Sequence, residues 1–173
     1  IDKALEQPKM GLSFPWPTVT KACFGIRPNT IHIVGAAPKI GKTDHQHQLV
    51  THLVYQEEVS VGMFDLENSP AKTAKKLAGK RDKVDYTRPD AEYDTDKLRS
   101  TLLTMQGKVR FYDRSASRDW NDIRIAIEEM HLLDGINIFI IDPLTALISR
   151  YASSEANDKL NEIMTDMADL VLK

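Results

Sequence analysis

The sequence predicts an α/β protein in which a mostly parallel sheet is covered by helices on both faces. Three observations carry this. Short apolar runs of strand length alternate with longer stretches of helical periodicity. The most apolar runs lack polar alternation, as strands buried on both faces do. A chain of 173 residues is long enough to bury one substantial core.

The elements follow in order. Residues 11–28 are rich in aromatics and prolines (Phe14-Pro15-Trp16-Pro17, then Phe24-Gly25-Ile26-Arg27-Pro28). They predict an irregular lead-in on a core edge, so residues 1–28 read as a lead-in and 29–173 as the core domain. Residues 30–34 form a β-branched apolar run and predict a buried strand. A helix is expected over 42–57, a second strand over 59–66 and a basic helix over 71–80. Residues 81–93, with Pro89 as breaker, predict a loop. A helix over 95–105 and a strand over 108–112 come next. Trp120, Ile123, Ile127 and Met130 recur at helical spacing and predict an amphipathic helix over 119–133. Residues 136–141 are the most apolar strand. A last helix from residue 154 turns Leu160, Ile163, Met164, Met167 and Val171 inward.

Composition narrows the function. Hydrophobic residues make up 42% and charged residues 28%, with a formal net charge of −2. A domain that clamps nucleic acid over its whole surface is basic, so any DNA contact here is expected to be local, shared between subunits or supplied from outside this chain. The single cysteine, Cys23, excludes an internal disulfide and fits a reducing cytoplasm. No apolar run suffices to span a membrane and no signal peptide is seen. The start at Ile1 suggests a fragment or a processed chain.

The segment Ala36-Ala37-Pro38-Lys39-Ile40-Gly41-Lys42-Thr43 follows an expected strand and opens an expected helix, the setting a phosphate loop requires. The loop Ala37-Pro38-Lys39-Ile40-Gly41 would wrap its main-chain N–H groups around the phosphates at a helix N-terminus. Lys42 would reach the β- and γ-phosphates of ATP, and the Thr43 hydroxyl would ligate Mg²⁺. Ala36 stands where the strict pattern has glycine, with Gly35 one step early. Asp142 closes the apolar run Ile138-Phe139-Ile140-Ile141, which puts it at the carboxyl end of a parallel strand, where ligands bind. There it would act on the same Mg²⁺.

Val59, Val61, Met63, Asp65 and Glu67 alternate, which predicts one common face with the carboxylates toward the rim. Glu67, the last of the series, is the candidate base for the attacking water; two solvated strand-end charges are the alternative. His45, His47 and His52 lack the spacing of a zinc site. Lys72, Lys75, Lys76, Lys80, Arg81 and Lys83 read first as a solvated helix face, and second as a DNA or subunit contact. Trp16 and Trp120 read as packing residues, with stacking of Trp16 on a neighbouring subunit as the alternative. Cys23 has no partner for a nucleophilic role.

These stretches resemble the helicase domain of phage primase–helicases, with Twinkle and, more distantly, DnaB as relatives: a RecA-like P-loop NTPase. The matching segments are GLSFPWPTVTKACFGIRP, AAPKIGKT, VGMFDLENSPAKTAKKLAG and IFIIDPLTAL. The resemblance implies that Glu67, in the Leu66-Glu67 pair, is the catalytic base, with Thr73 and Gly79 completing the pattern. It implies an ATP-dependent replicative DNA helicase motor that translocates on single-stranded DNA. It also implies a homo-oligomeric ring, usually hexameric, ATP at subunit boundaries, cytoplasmic location in a host or bacterium, and in some members an attached primase domain. A sensor strand, an arginine finger and the main DNA-binding loops are expected beyond Lys173, so the RecA-like core reads as C-terminally truncated. In residues 149–157, Arg150 and Tyr151 are candidate DNA contacts. A RecA- or KaiC-like ATPase without unwinding, and a nucleotide-binding assembly module with little turnover, are the alternative functions.

Overall fold

The computed structural model describes residues 6–172. The elements are α1 (Pro17–Cys23), α2 (Lys42–Tyr55), β1 (Val61–Asp65), α3 (Pro70–Asp82), α4 (Thr95–Met105), β2 (Val109–Phe111), α5 (Trp120–Asp134), β3 (Ile138–Asp142), α6 (Thr145–Ile148) and α7 (Ser153–Leu170). The three strands form a parallel sheet in the order β2-β1-β3. Val61 pairs with Val109 on one side and Ile138 on the other, and Asp65 pairs with Asp142.

The central strand β1 is buried throughout, and its side chains divide by the two-residue period. Val61 and Met63 join Val50, Leu53 and Val54 of α2, Leu77 and Ala78 of α3, and Leu98 and Met105 of α4. Phe64, followed by Leu66, packs on the opposite face with Ile123, Ile127 and Met130 of α5, Leu147 of α6, and Ile163 and Met167 of α7. The result is a three-layer arrangement, helices over sheet over helices, with one core on each face. Each fully buried aliphatic or aromatic side chain contributes about 1.5–3 kcal/mol of transfer free energy.

Local signals set the helix starts. Asp94 accepts from the N–H groups of Asp96 (2.8 Å) and Lys97 (3.1 Å), and Asp119 from that of Asn121 (2.8 Å). Ser69 precedes Pro70 and accepts from the N–H of Lys72 at 3.4 Å, so α3 starts with both a cap and a proline in its first turn. Each such cap is worth about 1 kcal/mol.

Two expectations fail. Residues 30–34 are not a buried strand: they pair with no strand among the described residues, and Ile33 is 66% exposed. A β-branched apolar run makes a strand only where another strand takes its N–H and C=O groups, and the sheet places none beside it. The lead-in is not wholly irregular either. Residues 17–23 form α1, with Pro17 in its first turn and Phe24 closing it in the left-handed region. Leu12 and Ile26 then bridge antiparallel, tying the two ends of the segment together.

The lead-in is packed onto α2. The Trp16 and His45 rings stack with centroids 4.0 Å apart and 9° between planes. Ser13 donates its N–H to Glu57 Oε1 at 3.1 Å, and its hydroxyl bonds Glu57 and His52 Nε2.

Candidate nucleotide site

The candidate phosphate loop is an exposed turn that ends where α2 begins. Gly41 adopts φ 97°, a left-handed conformation that costs a residue without a side chain little. Lys39 also lies at positive φ, 66°, so the loop alternates handedness as anion-binding main-chain concavities do. Lys42 and Thr43 are the first two residues of the helix that follows.

The helix start meets the end of β3. Thr43 Oγ1 donates to Asp142 Oδ2 at 2.9 Å, and Lys42 Nζ lies 3.1 Å from Asp142 Oδ1. Asp142 is only 2% exposed. Its Oδ1 receives charge compensation from Lys42 but no aligned hydrogen-bond donor. A buried carboxylate oxygen with spare acceptor capacity beside a hydroxyl is the hard-oxygen pair that Mg²⁺ takes. An alkylammonium next to it supplies the positive charge a triphosphate needs. The residues present therefore fit ATP with Mg²⁺.

The sheet register brings the second acidic segment to the same rim. Asp65 pairs with Asp142, and the N–H of Leu66 donates to the Asp142 carbonyl at 2.8 Å. Glu67 follows at once, exposed, in the bend after β1. The expected common face stops short of Glu67, because β1 ends at Asp65 and the chain turns. The two carboxylates thus differ in kind. Asp65 is 4% exposed and its oxygens accept from Thr73 Oγ1 (2.7 Å), Asn68 N–H (2.8 Å) and Nδ2 (3.1 and 3.2 Å), and Glu67 N–H (3.1 Å). Burial alone raises its pKa, but the hydrogen bonds from Thr73, Asn68 and Glu67 outweigh it and hold the pKa below the usual carboxylate value. Sequence periodicity could not separate these two roles, since both residues look like strand-end acids.

The remaining candidates are dispersed. His45 stacks on Trp16, His52 bonds Ser13, and His47 is buried one turn after Thr43 with Nε2 lacking a partner. Burial, then the charge of Lys76, lowers the His47 pKa. Of the basic stretch, Lys80 pairs with Asp44 at 2.5 Å and Arg81 lies over the Tyr55 ring at 4.3 Å, so part of it joins α3 to α2. Gly79 has a packing reason: a Cβ there would meet the Val84 carbonyl oxygen at 2.4 Å. Arg150 pairs with Asp119 and lies 5.0 Å over the Tyr151 ring, and residues 153–157 belong to α7 rather than to a loop. No helix among the described residues is long and apolar enough to cross a membrane.

Comparison with curated proteins returns no match. The family model for the DnaB-like helicase C terminal domain matches residues 11–171, from the bridged lead-in to the end of α7. With a parallel sheet whose rim gathers Lys42, Thr43 and Asp142, and that match along nearly its whole length, the chain belongs to the DnaB-like helicase C-terminal domain family, a helicase-family ATPase domain of RecA-like fold.

Proposed function

We propose that this chain is the ATP-hydrolysing motor of a replicative DNA helicase that translocates on single-stranded DNA. One observation carries the reading: Lys42 and Thr43, at the mouth of the phosphate loop, converge on Asp142 at the end of a strand 99 residues further on. In this reading residues 37–43 cradle the triphosphate and Lys42 neutralises its β- and γ-phosphates. Thr43 and Asp142 hold Mg²⁺, which when bound offsets phosphate charge. Glu67, exposed beside the Asp142 strand end, polarises the attacking water. The near-neutral charge of the domain suits a ring in which several copies, six in the usual family arrangement, share a local DNA contact. A phage source, a cytoplasmic setting and a primase domain on the same polypeptide belong to the same reading.

The test uses the complete protein that carries this domain. Glu67→Gln is expected to keep binding of a non-hydrolysable ATP analogue within about threefold while lowering turnover by about 100-fold or more, the scale of a lost general base. Normal turnover in that variant would remove Glu67 from the role. The wild-type protein is expected to show ATPase stimulated by single-stranded DNA together with strand displacement. Stimulation without displacement points instead to a RecA-like assembly ATPase, and binding without hydrolysis to an assembly module.

A further inference from the structure

The bend that carries Glu67 is short, exposed at Glu67 and Ser69, and lies between a buried strand and α3. Its direction is set at both ends. On the sheet side, Leu66 N–H is fixed to the Asp142 carbonyl. On the helix side the fixing group is one carboxylate. Asp65 Oδ1 accepts the successive main-chain N–H groups of Glu67 and Asn68, while Oδ2 accepts the Thr73 hydroxyl from the first turns of α3. The Asn68 amide reaches both oxygens. Asp65 differs in this from Asp142, which is as deeply buried but keeps one oxygen without a donor: the donors on Asp65 take up the acceptor capacity it would need for a water or a metal.

We propose that Asp65 is a positioning residue for ATP hydrolysis, a clamp that joins strand, bend and helix and thereby aims the Glu67 carboxylate. The inference rests on the reading of Glu67 as the group that polarises the attacking water. A carboxylate suits the task because a single side chain can accept two neighbouring N–H groups on one oxygen and a helix hydroxyl on the other. Releasing the bend lets Glu67 sample orientations in which the water is not in line. A misplacement of about 1 Å costs on the order of 100-fold in rate. Nucleotide affinity resides in the phosphate loop and is left alone.

The experiment compares Asp65→Ala, Asp65→Asn and Thr73→Val in the complete protein, measuring kcat, KM for ATP, binding of a non-hydrolysable ATP analogue, and melting. For Asp65→Ala, kcat falls about 10- to 100-fold while analogue affinity stays within about threefold. Asp65→Asn keeps an oxygen for the two main-chain donors and recovers most of kcat. Thr73→Val lowers kcat several-fold without changing affinity, and carries the test alone if Asp65→Ala does not fold. Unchanged kcat in Asp65→Ala overturns the proposal, as does loss of affinity in step with kcat or an Asn variant as impaired as the Ala variant. Where Asp65→Ala does not fold, unchanged kcat in Thr73→Val overturns it. Glu67→Gln separates the two readings: if it abolishes turnover while Asp65→Ala does not, only the clamp fails; if it turns over normally, the base assignment fails first.

Discussion

Thr43 donates its hydroxyl hydrogen to Asp142 across 2.9 Å, although 99 residues separate them in sequence. The contact joins the first turn of α2 to the end of β3, and Lys42 reinforces it by pairing with the same carboxylate. Both residues proposed for Mg²⁺ are thus already in contact, and the lysine proposed for the phosphates is held beside them.

Lys42→Ala is expected to weaken ATP-analogue binding by about 10- to 100-fold, the equivalent of a lost charge-assisted hydrogen bond of about 1.5–3 kcal/mol. Because the variant also removes the partner of the buried Asp142 carboxylate, its melting temperature is expected to fall. Titration calorimetry with the analogue checks the first effect and calorimetric melting the second. Wild-type affinity in this variant would remove the loop from phosphate binding.

Gly79→Ala is expected to destabilise the domain by about 1–3 kcal/mol, as overpacking does. The added Cβ would press on the Val84 carbonyl, whose residue also donates its N–H to Gly79. Backbone cannot swing aside as a flexible side chain can. Denaturant unfolding measures the loss, and a neutral result would show that the turn after α3 gives way freely.

Trp16→Ala is expected to loosen the lead-in from α2 and lower stability by about 1 kcal/mol beyond the area lost, the usual worth of an aromatic stack. Hydrogen exchange at residues 11–26 should accelerate in this variant, while exchange in β1 and α5 stays slow. Equal acceleration throughout would mean that the stack serves the whole domain and not the lead-in.

The phenol of Tyr86 is pushed up to about 12 by burial and by its hydrogen bond to Asp82. A folded pKa above the unfolded one means that its contribution to stability is present in full below pH 10.0, the ordinary value, and is lost as pH rises through about 12. Chemical denaturation of the wild type should therefore lose stability across that window. Tyr86→Phe, which has no proton to lose, should lack that part of the decline. Coincident pH profiles for the two proteins would show that Tyr86 does not titrate there.

Much of this was legible in the chain itself. Apolar spacing located β1, β2, β3 and α5 with their ends displaced by at most two residues, because burial on a periodic element leaves a periodic trace. The candidate phosphate loop could be proposed from local order alone, and the structure has there a turn, a glycine at positive φ and a helix start within a few residues. The position of Asp142 followed from the direction of a parallel strand.

Other features depended on partners remote in sequence, and there local pattern was insufficient. Residues 30–34 have the composition of a strand yet remain unpaired among the described residues, since a strand exists only by hydrogen bonding to another strand. Asp65 and Glu67 are equivalent acids in the sequence. The fold separated them by turning the chain after Asp65 and presenting it with the Thr73 hydroxyl, so one became a saturated, buried acceptor and the other stayed exposed. The sequence by itself determined which segments form strands and helices and where a candidate phosphate loop stands; the pairing of β1 with β3 and the packing of α2 and α3 on one face of the sheet decided which carboxylates meet at its rim, because burial and hydrogen-bond partnership are properties of neighbours in space.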